Sequence, residues 1–221
     1  MQVRAVLFDI DGTLVDSNAM HVLAWQEAFA ESGFQLDAQV VHGQIGKGAD
    51  MLIPALVPDP DPAVQKKLSD AHASIFKAKY LHRARPFDRA HDLLAHAHGL
   101  GQKVALASSA SGSELEHYLD LLDARGLVSV TTSADEVEHT KPAPDIFARA
   151  LAKLPGLGPA DVFVVGDTPY DVEAAAKCGI SAIGLRSGKF ADEVLRRAGA
   201  AAIYEDAAAL LAAYPGSPLG R

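Results

Sequence analysis

Four groups of polar residues in this sequence have the side chains needed to bind and react with an anionic substrate. They are Asp9-Ile10-Asp11-Gly12-Thr13, Ser108-Ser109, Lys141-Pro142 and Gly166-Asp167-Thr168-Pro169-Tyr170-Asp171. Carboxylate oxygens are preferred ligands of Mg²⁺, and a carboxylate can also act as a nucleophile or carry a proton. A lysine and a hydroxyl add positive charge and hydrogen bonds for phosphate oxygens. Together the four groups favour phosphoryl chemistry.

Each group alone also has an ordinary structural explanation. Asp11-Gly12 lies between two apolar runs, as a two-residue hairpin turn does. Ser108 could begin a helix, Lys141 could be a solvated loop residue, and Asp167 or Asp171 could cap the next helix. All four groups follow apolar runs, however, and this favours one shared site over four independent coincidences.

Short apolar runs alternate with helical patterns along most of the chain. The runs lie at residues 5–8, 104–107, 127–130, 162–165 and 180–183, and the later helical patterns at 112–122, 144–154 and 169–178. Runs that are apolar on both faces are typical of parallel strands covered by helices. The alternation predicts an α/β fold with a doubly wound parallel sheet, in which ligands bind at the carboxyl ends of the strands.

About 90 residues separate the first two apolar runs, far more than one crossover helix needs. Residues 18–32 and 63–80 have helical spacing of their apolar positions. We therefore expect a helical cap domain at residues 16–86, inserted into a core domain formed by residues 1–15 and 87–221.

The amino-acid composition limits which binding partners and which cellular location we expect for this chain. The chain has 221 residues, 49% of them hydrophobic, a formal net charge of −8 and one cysteine. The negative charge argues against a nucleic-acid polymer or a membrane surface as a partner. The apolar stretch at residues 3–10 is too short to span a bilayer, and a single cysteine fits a reducing cytoplasm. We expect a cytoplasmic monomer or weak dimer whose last residues, 215–221, fray.

The four groups resemble motifs one to four of the haloacid dehalogenase superfamily. The family pattern is Asp-x-Asp-Gly-Thr, then Ser or Thr, then Lys, then Gly-Asp-x-x-x-Asp, and this sequence matches every position. The insert resembles the small helical, C1-type cap of that superfamily. Its first residues, Asp16, Ser17, His21, Ala24 and Trp25, are similar to the subfamily of phosphoglycolate phosphatases and β-phosphoglucomutases.

The resemblance implies a role for each motif residue in a Rossmann-like core. Asp9 is the nucleophile that forms an aspartyl-phosphate, and Asp11 is the general acid and base. Mg²⁺ is bound by Asp9, Asp167 and the backbone carbonyl of Asp11, with Asp171 orienting these ligands from the second shell. The substrate-binding residues implied in the core are Ile10, Gly12, Ser108, Ser109 and Lys141.

Within the insert, Gly46-Lys47-Gly48 is the strongest candidate for substrate recognition. Flanking glycines let the backbone approach a ligand closely, and Lys47 could bind an anionic or hydroxylated leaving group. An exposed turn between helices is the alternative. His21 could face the same cleft or could be a hydrogen-bonded structural histidine.

The resemblance implies a Mg²⁺-dependent phosphatase of a small phosphate monoester, such as phosphoglycolate or a sugar or polyol phosphate. A phosphosugar mutase of the β-phosphoglucomutase type is the alternative, although the fourth motif is closer to the phosphatase branch. A signalling receiver domain shares a phosphorylated Asp and Mg²⁺, but it has no use for a large insert.

Overall fold

The computed structural model describes residues 3–220 and contains a six-stranded parallel sheet. The strands are β1 (Ala5–Phe8), β2 (Val15–Asp16), β3 (Arg85–Pro86), β4 (Lys103–Ala107), β5 (Val128–Thr132), β6 (Val162–Gly166), β7 (Ser181–Leu185) and β8 (Ala202–Tyr204). The sheet has the order β5-β4-β1-β6-β7-β8, and β2 pairs with β3 separately. The predicted α/β fold with a doubly wound parallel sheet is confirmed.

Ten α-helices accompany these strands within the described residues. They are α1 (Asn18–Glu31), α2 (Ala38–His42), α3 (Ala49–Leu56), α4 (Pro62–Ile75), α5 (Ala90–Gly99), α6 (Gly112–Leu121), α7 (Asp145–Ala152), α8 (Pro169–Lys177), α9 (Asp192–Ala198) and α10 (Ala207–Ala212). Over residues 3–220, no helix has both the length and the apolar character needed to cross a bilayer.

Strand β1 lies in the middle of the sheet and is fully buried. Because side chains alternate along a strand, Val6 and Phe8 belong to the hydrophobic cluster on one face, while Ala5 and Leu7 belong to the cluster on the other. Helices α5, α6 and α10 cover the first face, and α7 and α8 cover the second. This two-sided burial explains why the strand sequences are continuously apolar.

The segment between β2 and β3 contains helices α1 to α4 and has a hydrophobic cluster of its own. Trp25, Phe29, Leu52 and Phe76 are buried in it. Strands β2 and β3 pair antiparallel, with Val15 opposite Pro86, and form the two connections to the sheet. We call residues 16–86 the insert; its status as a separate cap domain stays a prediction.

The end of the chain differs from the fraying that its turn-rich composition predicts. Leu219 is 1% exposed, and Gln102 Nε2 donates a hydrogen bond to its carbonyl oxygen at 2.8 Å. The Tyr214 hydroxyl donates to Gln102 Oε1. Tertiary contacts thus anchor the segment through residue 220, and the expectation of fraying is wrong there; Arg221 lies outside the described residues.

Candidate active site

Strand β1 ends in a tight loop and not in a hairpin. The carbonyl oxygen of Ile10 accepts hydrogen bonds from the amides of Thr13, Leu14 and Val15 at 2.8–3.1 Å. Val15 then begins β2, whose partner is β3 and not β1. The Asp11-Gly12 turn is therefore part of a loop at the carboxyl end of the sheet, and the hairpin explanation is excluded.

Gly12 allows this loop to pass close to the end of β6. Its φ is +79°, and a Cβ atom there would lie 2.1 Å from Asp167 Oδ2 and 2.2 Å from Asn18 Nδ2. A larger residue would therefore displace Asp167. Gly12 shapes the loop, and its contact with a substrate stays a prediction.

Lys141 is fully buried between two carboxylates. Its Nζ lies 2.5 Å from Asp9 Oδ1 and 2.7 Å from Asp171 Oδ1. The Thr13 hydroxyl lies 3.3 Å from Asp9 Oδ2 and 2.9 Å from Asp167 Oδ1. A buried ammonium with two carboxylate partners stays charged, and the three charges hold one another in place.

Asp9, Asp167 and Asp171 form a buried acidic cluster. One carboxylate oxygen from each residue lies within 4.8 Å of the oxygens from the other two. Burial raises the pKa of Asp9 to about 7 against the opposing charge of Lys141. Burial and the negative charge of Asp9 raise the pKa of Asp167 well above its usual value. Asn18 Nδ2 donates to Asp167, whereas its buried Oδ1 has no partner among the described residues. These oxygen donors fit Mg²⁺, since a divalent cation would let the carboxylates ionise together.

Asp11 has different partners from the acidic cluster. Its Oδ1 accepts hydrogen bonds from Ser17 Oγ at 2.6 Å and Tyr118 OH at 2.9 Å, and His21 Nε2 lies 3.1 Å away. Burial alone would raise the pKa of Asp11, but the charge and hydrogen bond of His21, aided by the two hydroxyls, lower it. Burial lowers the pKa of His21, but the charge of Asp11 outweighs this and raises it. The two side chains therefore form an ion pair.

A third side chain, that of His72 in helix α4, contacts His21. It was not identified from the sequence. Its Nε2 lies 3.3 Å from His21 Nδ1, and its ring stacks on Trp25 with centroids 4.0 Å apart. His21 stacks on Phe76 at 3.8 Å. His21 therefore lines the cavity and touches Asp11, and it is also hydrogen-bonded and stacked as a structural histidine would be.

Ser108 and Ser109 follow β4 and have different partners. Ser108 is 1% exposed, and its Oγ accepts a hydrogen bond from Ala110 N at 3.0 Å. Ser109 Oγ donates to Gly46 O of the insert at 3.2 Å. Helix α6 begins directly afterwards, with a capping box between Ser111 and Glu114. Its positive end therefore points toward the same edge of the sheet.

Lys47 lies at the boundary between the insert and the sheet. Its Nζ donates to Gln44 Oε1 at 2.6 Å and lies 4.5 Å from the centroid of the Tyr170 ring. The flanking glycines, Gly46 and Gly48, approach core residues and also line the cavity, and their approach to a ligand stays a prediction. Lys47 itself faces the cleft, so the alternative of an exposed turn does not describe it.

A cavity of about 220 Å³ lies between the insert and the carboxyl ends of β1 and β4. Asp9, Asp11 and Ser108 line it from the sheet, and His21, Lys47 and His72 line it from the insert. The cavity thus has carboxylates and a hydroxyl on the sheet side and two histidines and a lysine on the insert side.

Comparisons with known proteins agree with this architecture. The family model of haloacid dehalogenase-like hydrolases matches residues 6–185, which include all four polar groups. A fructose-1-phosphate phosphatase of Escherichia coli (strain K12) is 27% identical over 186 residues, or 82% of this chain and 95% of that protein. A phosphoglycolate phosphatase of Aquifex aeolicus is 28% identical over 182 residues, or 80% of this chain and 82% of that protein.

A solved structure shows the same arrangement of sheet and insert. The crystal structure of a hydrolase from Pseudomonas syringae is similar to this chain with a TM-score of 0.89 and 29% identity. The match covers 96% of this chain and 98% of the other.

Proposed function

We propose that this chain, which belongs to the haloacid dehalogenase-like hydrolase family, is a phosphatase that uses Mg²⁺ to hydrolyse a small phosphate monoester. The observation that carries the proposal is the contact between Lys141 and Asp9, because it places a buried cation beside a carboxylate that faces a cavity. Relatives that match most of the chain are named as phosphatases of fructose 1-phosphate and of phosphoglycolate.

Asp9 is the nucleophile of the proposed reaction. One of its oxygens forms a bond to phosphorus while the bond between phosphorus and the ester oxygen breaks, which leaves an aspartyl-phosphate. Lys141 balances the negative charge of the transferring group. Mg²⁺, when held by Asp9, Asp167 and the backbone carbonyl of Asp11, offsets the repulsion between carboxylate and phosphate. Asp171 lies beside these ligands and orients them.

Asp11 and His21 move the protons. The pair holds one proton across a 3.1 Å contact, and this proton is available to the ester oxygen as it leaves. In the second half of the reaction, Asp11 accepts a proton from the water that attacks the aspartyl-phosphate. The hydrogen bonds from Ser17 and Tyr118 fix the carboxylate in the orientation that both transfers need.

The phosphoryl oxygens are bound at the start of α6. The Ser108 hydroxyl, Ser109 and the backbone near Ile10 and Gly12 donate hydrogen bonds, and the positive end of the helix adds to the attraction. Lys47 contacts the leaving group from the opposite wall of the cavity. The size of the cavity fits a small organic phosphate such as phosphoglycolate or a sugar or polyol phosphate.

The test is a phosphate-release screen of phosphorylated metabolites with Mg²⁺, followed by kinetics of variants. Asp9→Asn and Asp11→Asn should each lose turnover by orders of magnitude, because an amide is neither a nucleophile nor a proton carrier near neutral pH. Asp88→Asn, at an exposed position, is the matched control and should behave as the wild type. Wild-type turnover in Asp9→Asn would overturn the proposal.

Two other outcomes would assign a different function. Conversion of a hexose 1-phosphate into its 6-phosphate, with little free phosphate, would indicate a mutase. A long-lived phosphorylated chain that releases no phosphate would indicate a receiver domain.

A further inference from the structure

Asp50, at the start of α3 in the insert, makes two hydrogen bonds to one core residue, Thr140. Its Oδ2 accepts from the Thr140 amide at 2.9 Å, and its Oδ1 accepts from the Thr140 hydroxyl at 2.5 Å. The Thr140 oxygen in turn accepts from the Gly48 amide at 2.8 Å. In these three hydrogen bonds every donor has an acceptor. Together they link Gly48 and Asp50 of the insert to a single core residue, Thr140.

Asp50 differs from the other aspartates that begin helices in the insert. Asp37 and Asp61 accept hydrogen bonds from amides of their own helices, α2 and α4. Helix α3 begins at Ala49, its cap residue Gly48 has no side chain to accept a hydrogen bond, and Asp50 binds across the interface instead. A role confined to helix capping therefore does not explain the position of this carboxylate.

The glycine before α3 makes this contact possible. A Cβ atom at Gly48 would lie 2.5 Å from Thr140 Cγ2 and 2.7 Å from Thr140 Oγ1. At Gly46, where φ is +102°, a Cβ atom would lie 2.7 Å from Thr168 Cγ2. The Gly-Lys-Gly segment thus fits closely against two core threonines, one beside Lys141 and one beside Asp167.

Thr140 directly precedes Lys141 in a segment without regular secondary structure. The core holds this segment through Asp145, which accepts from the His139 amide at 3.2 Å, and through Lys177, which donates to Pro142 O at 2.6 Å. The Thr140 amide has Asp50 as its acceptor in the described chain. When the insert moves away, the Thr140 amide and hydroxyl lose Asp50, although the Thr140 carbonyl keeps the Ala143 amide at 2.9 Å, and the backbone that carries Lys141 loses an anchor.

We infer that Asp50 is a positioning residue that makes the placement of Lys141 depend on docking of the insert. This inference rests on the proposed function, in which Lys141 must stay within hydrogen-bond distance of Asp9 and of the transferring group. Small displacements of such a side chain are costly, and a shift of about 1 Å can lower turnover about 100-fold. The chain is therefore fully active only while Asp50 and Thr140 are in contact.

Steady-state kinetics with p-nitrophenyl phosphate and Mg²⁺ test the inference. Asp50→Ala and Thr140→Val should each lower kcat about 10- to 100-fold with a much smaller change in KM, because the contact acts on Lys141 and not on the leaving group. The double variant should lose less than the product of the two single losses, because both variants remove the hydrogen bond between the Thr140 hydroxyl and Asp50 Oδ1. Thr140→Ser, which keeps the hydroxyl, should recover most of the activity lost in Thr140→Val.

Asp70→Ala is the matched control, because Asp70 is an exposed aspartate of the insert whose partner is Lys66 in the same helix. Its kcat should equal that of the wild type. Unchanged kcat in Asp50→Ala, or losses that multiply in the double variant, would overturn the inference.

Hydrogen exchange of the Thr140 amide tests this inference independently of the proposed function, because the measurement does not require the chain to be catalytically active. Exchange should be faster in Asp50→Ala than in the wild type, while amides of β4 and β6 stay equally protected. Equal exchange at Thr140 would refute the contact even if the chain is a phosphatase. If the wild type releases no phosphate from any ester, the proposed function fails, whatever the exchange shows. If Asp50→Ala does not fold, the kinetics of Thr140→Val and Thr140→Ser, which change only the side chain that binds Asp50 Oδ1, provide the test.

Discussion

His21 Nε2 lies 3.1 Å from Asp11 Oδ1, so the first helix of the insert holds a carboxylate that belongs to the end of β1. The contact crosses the boundary between insert and sheet, as the contact between Asp50 and Thr140 does. Two core residues, Asp11 and Thr140, thus accept hydrogen bonds from side chains of the insert or donate hydrogen bonds to them.

Replacing His21 should lower turnover more than removing a neutral partner of Asp11. His21→Phe keeps the stacking on Phe76 but removes the positively charged partner of Asp11, whereas Tyr118→Phe removes a hydrogen bond from an uncharged hydroxyl. We expect kcat to fall about 10- to 100-fold in His21→Phe and distinctly less in Tyr118→Phe. Kinetics at saturating substrate measure the difference, and equal losses in the two variants would argue against the special role of His21.

Mg²⁺ should be needed both for activity and for full stability. Because Asp9, Asp167 and Asp171 are buried together, a bound cation relieves their repulsion and stabilises the folded chain, by about 2.7 kcal/mol at a concentration of 100 Kd. Chelation should abolish phosphate release, and urea unfolding should show the loss of stability. Asp167→Asn should lose most of the Mg²⁺-dependent stabilisation, whereas Asp88→Asn should keep it. If the stability of the wild type did not depend on Mg²⁺, the assignment of Asp9 and Asp167 as ligands would be contradicted.

Most of the sheet could be predicted from the sequence because it is buried on both faces. All five predicted strands are present, with ends that agree or differ by at most two residues. Strand β8 was not predicted, since Ala202–Tyr204 is short, lies at the edge and is only half-buried. Burial on both faces makes the central strands continuously apolar and so predictable, whereas of the two partly buried edge strands β5 was predicted and the shorter β8 was not.

The site was predictable where its residues follow strands and not where they come from helices. Asp9, Ser108 and Asp167 meet because parallel strands end at one edge of the sheet. Tyr118 and His72 reach the site from the faces of α6 and α4, and such a contact depends on how the helices pack, which no local pattern specifies. The glycines beside Lys47 indicated a close approach, but the sequence alone could not show that core threonines are the neighbours.

His72 should make the folded chain less stable in mild acid. Burial and the positive charge on His21 lower the pKa of His72 well below 6.5, whereas the unfolded chain has the ordinary value. As the pH falls below about 6.5, the unfolded chain therefore binds a proton at His72 that the folded chain does not bind. The free energy of unfolding decreases as a result. One such proton changes the free energy of unfolding by at most about 1.4 kcal/mol per pH unit.

Urea unfolding of the wild type and of His72→Phe, between about pH 5.5 and pH 7.5, isolates this effect. Phenylalanine keeps an aromatic ring against Trp25 but cannot bind a proton. The stability of the wild type relative to the variant should fall as the pH is lowered. A difference between the two proteins that is constant with pH would mean that His72 titrates alike in the folded and unfolded states.

Lys47 should determine which phosphate ester is hydrolysed fastest. Its ammonium lies at the insert wall of the cavity, and burial lowers its pKa, so a substrate group that binds it replaces lost solvation. In Lys47→Ala, esters whose leaving groups contact the ammonium should show KM raised about 10-fold or more, while other esters change little. Lys66→Ala is the control, since the Lys66–Asp70 pair is largely exposed. A uniform loss over all esters would instead indicate that Lys47 acts by docking the insert against Tyr170.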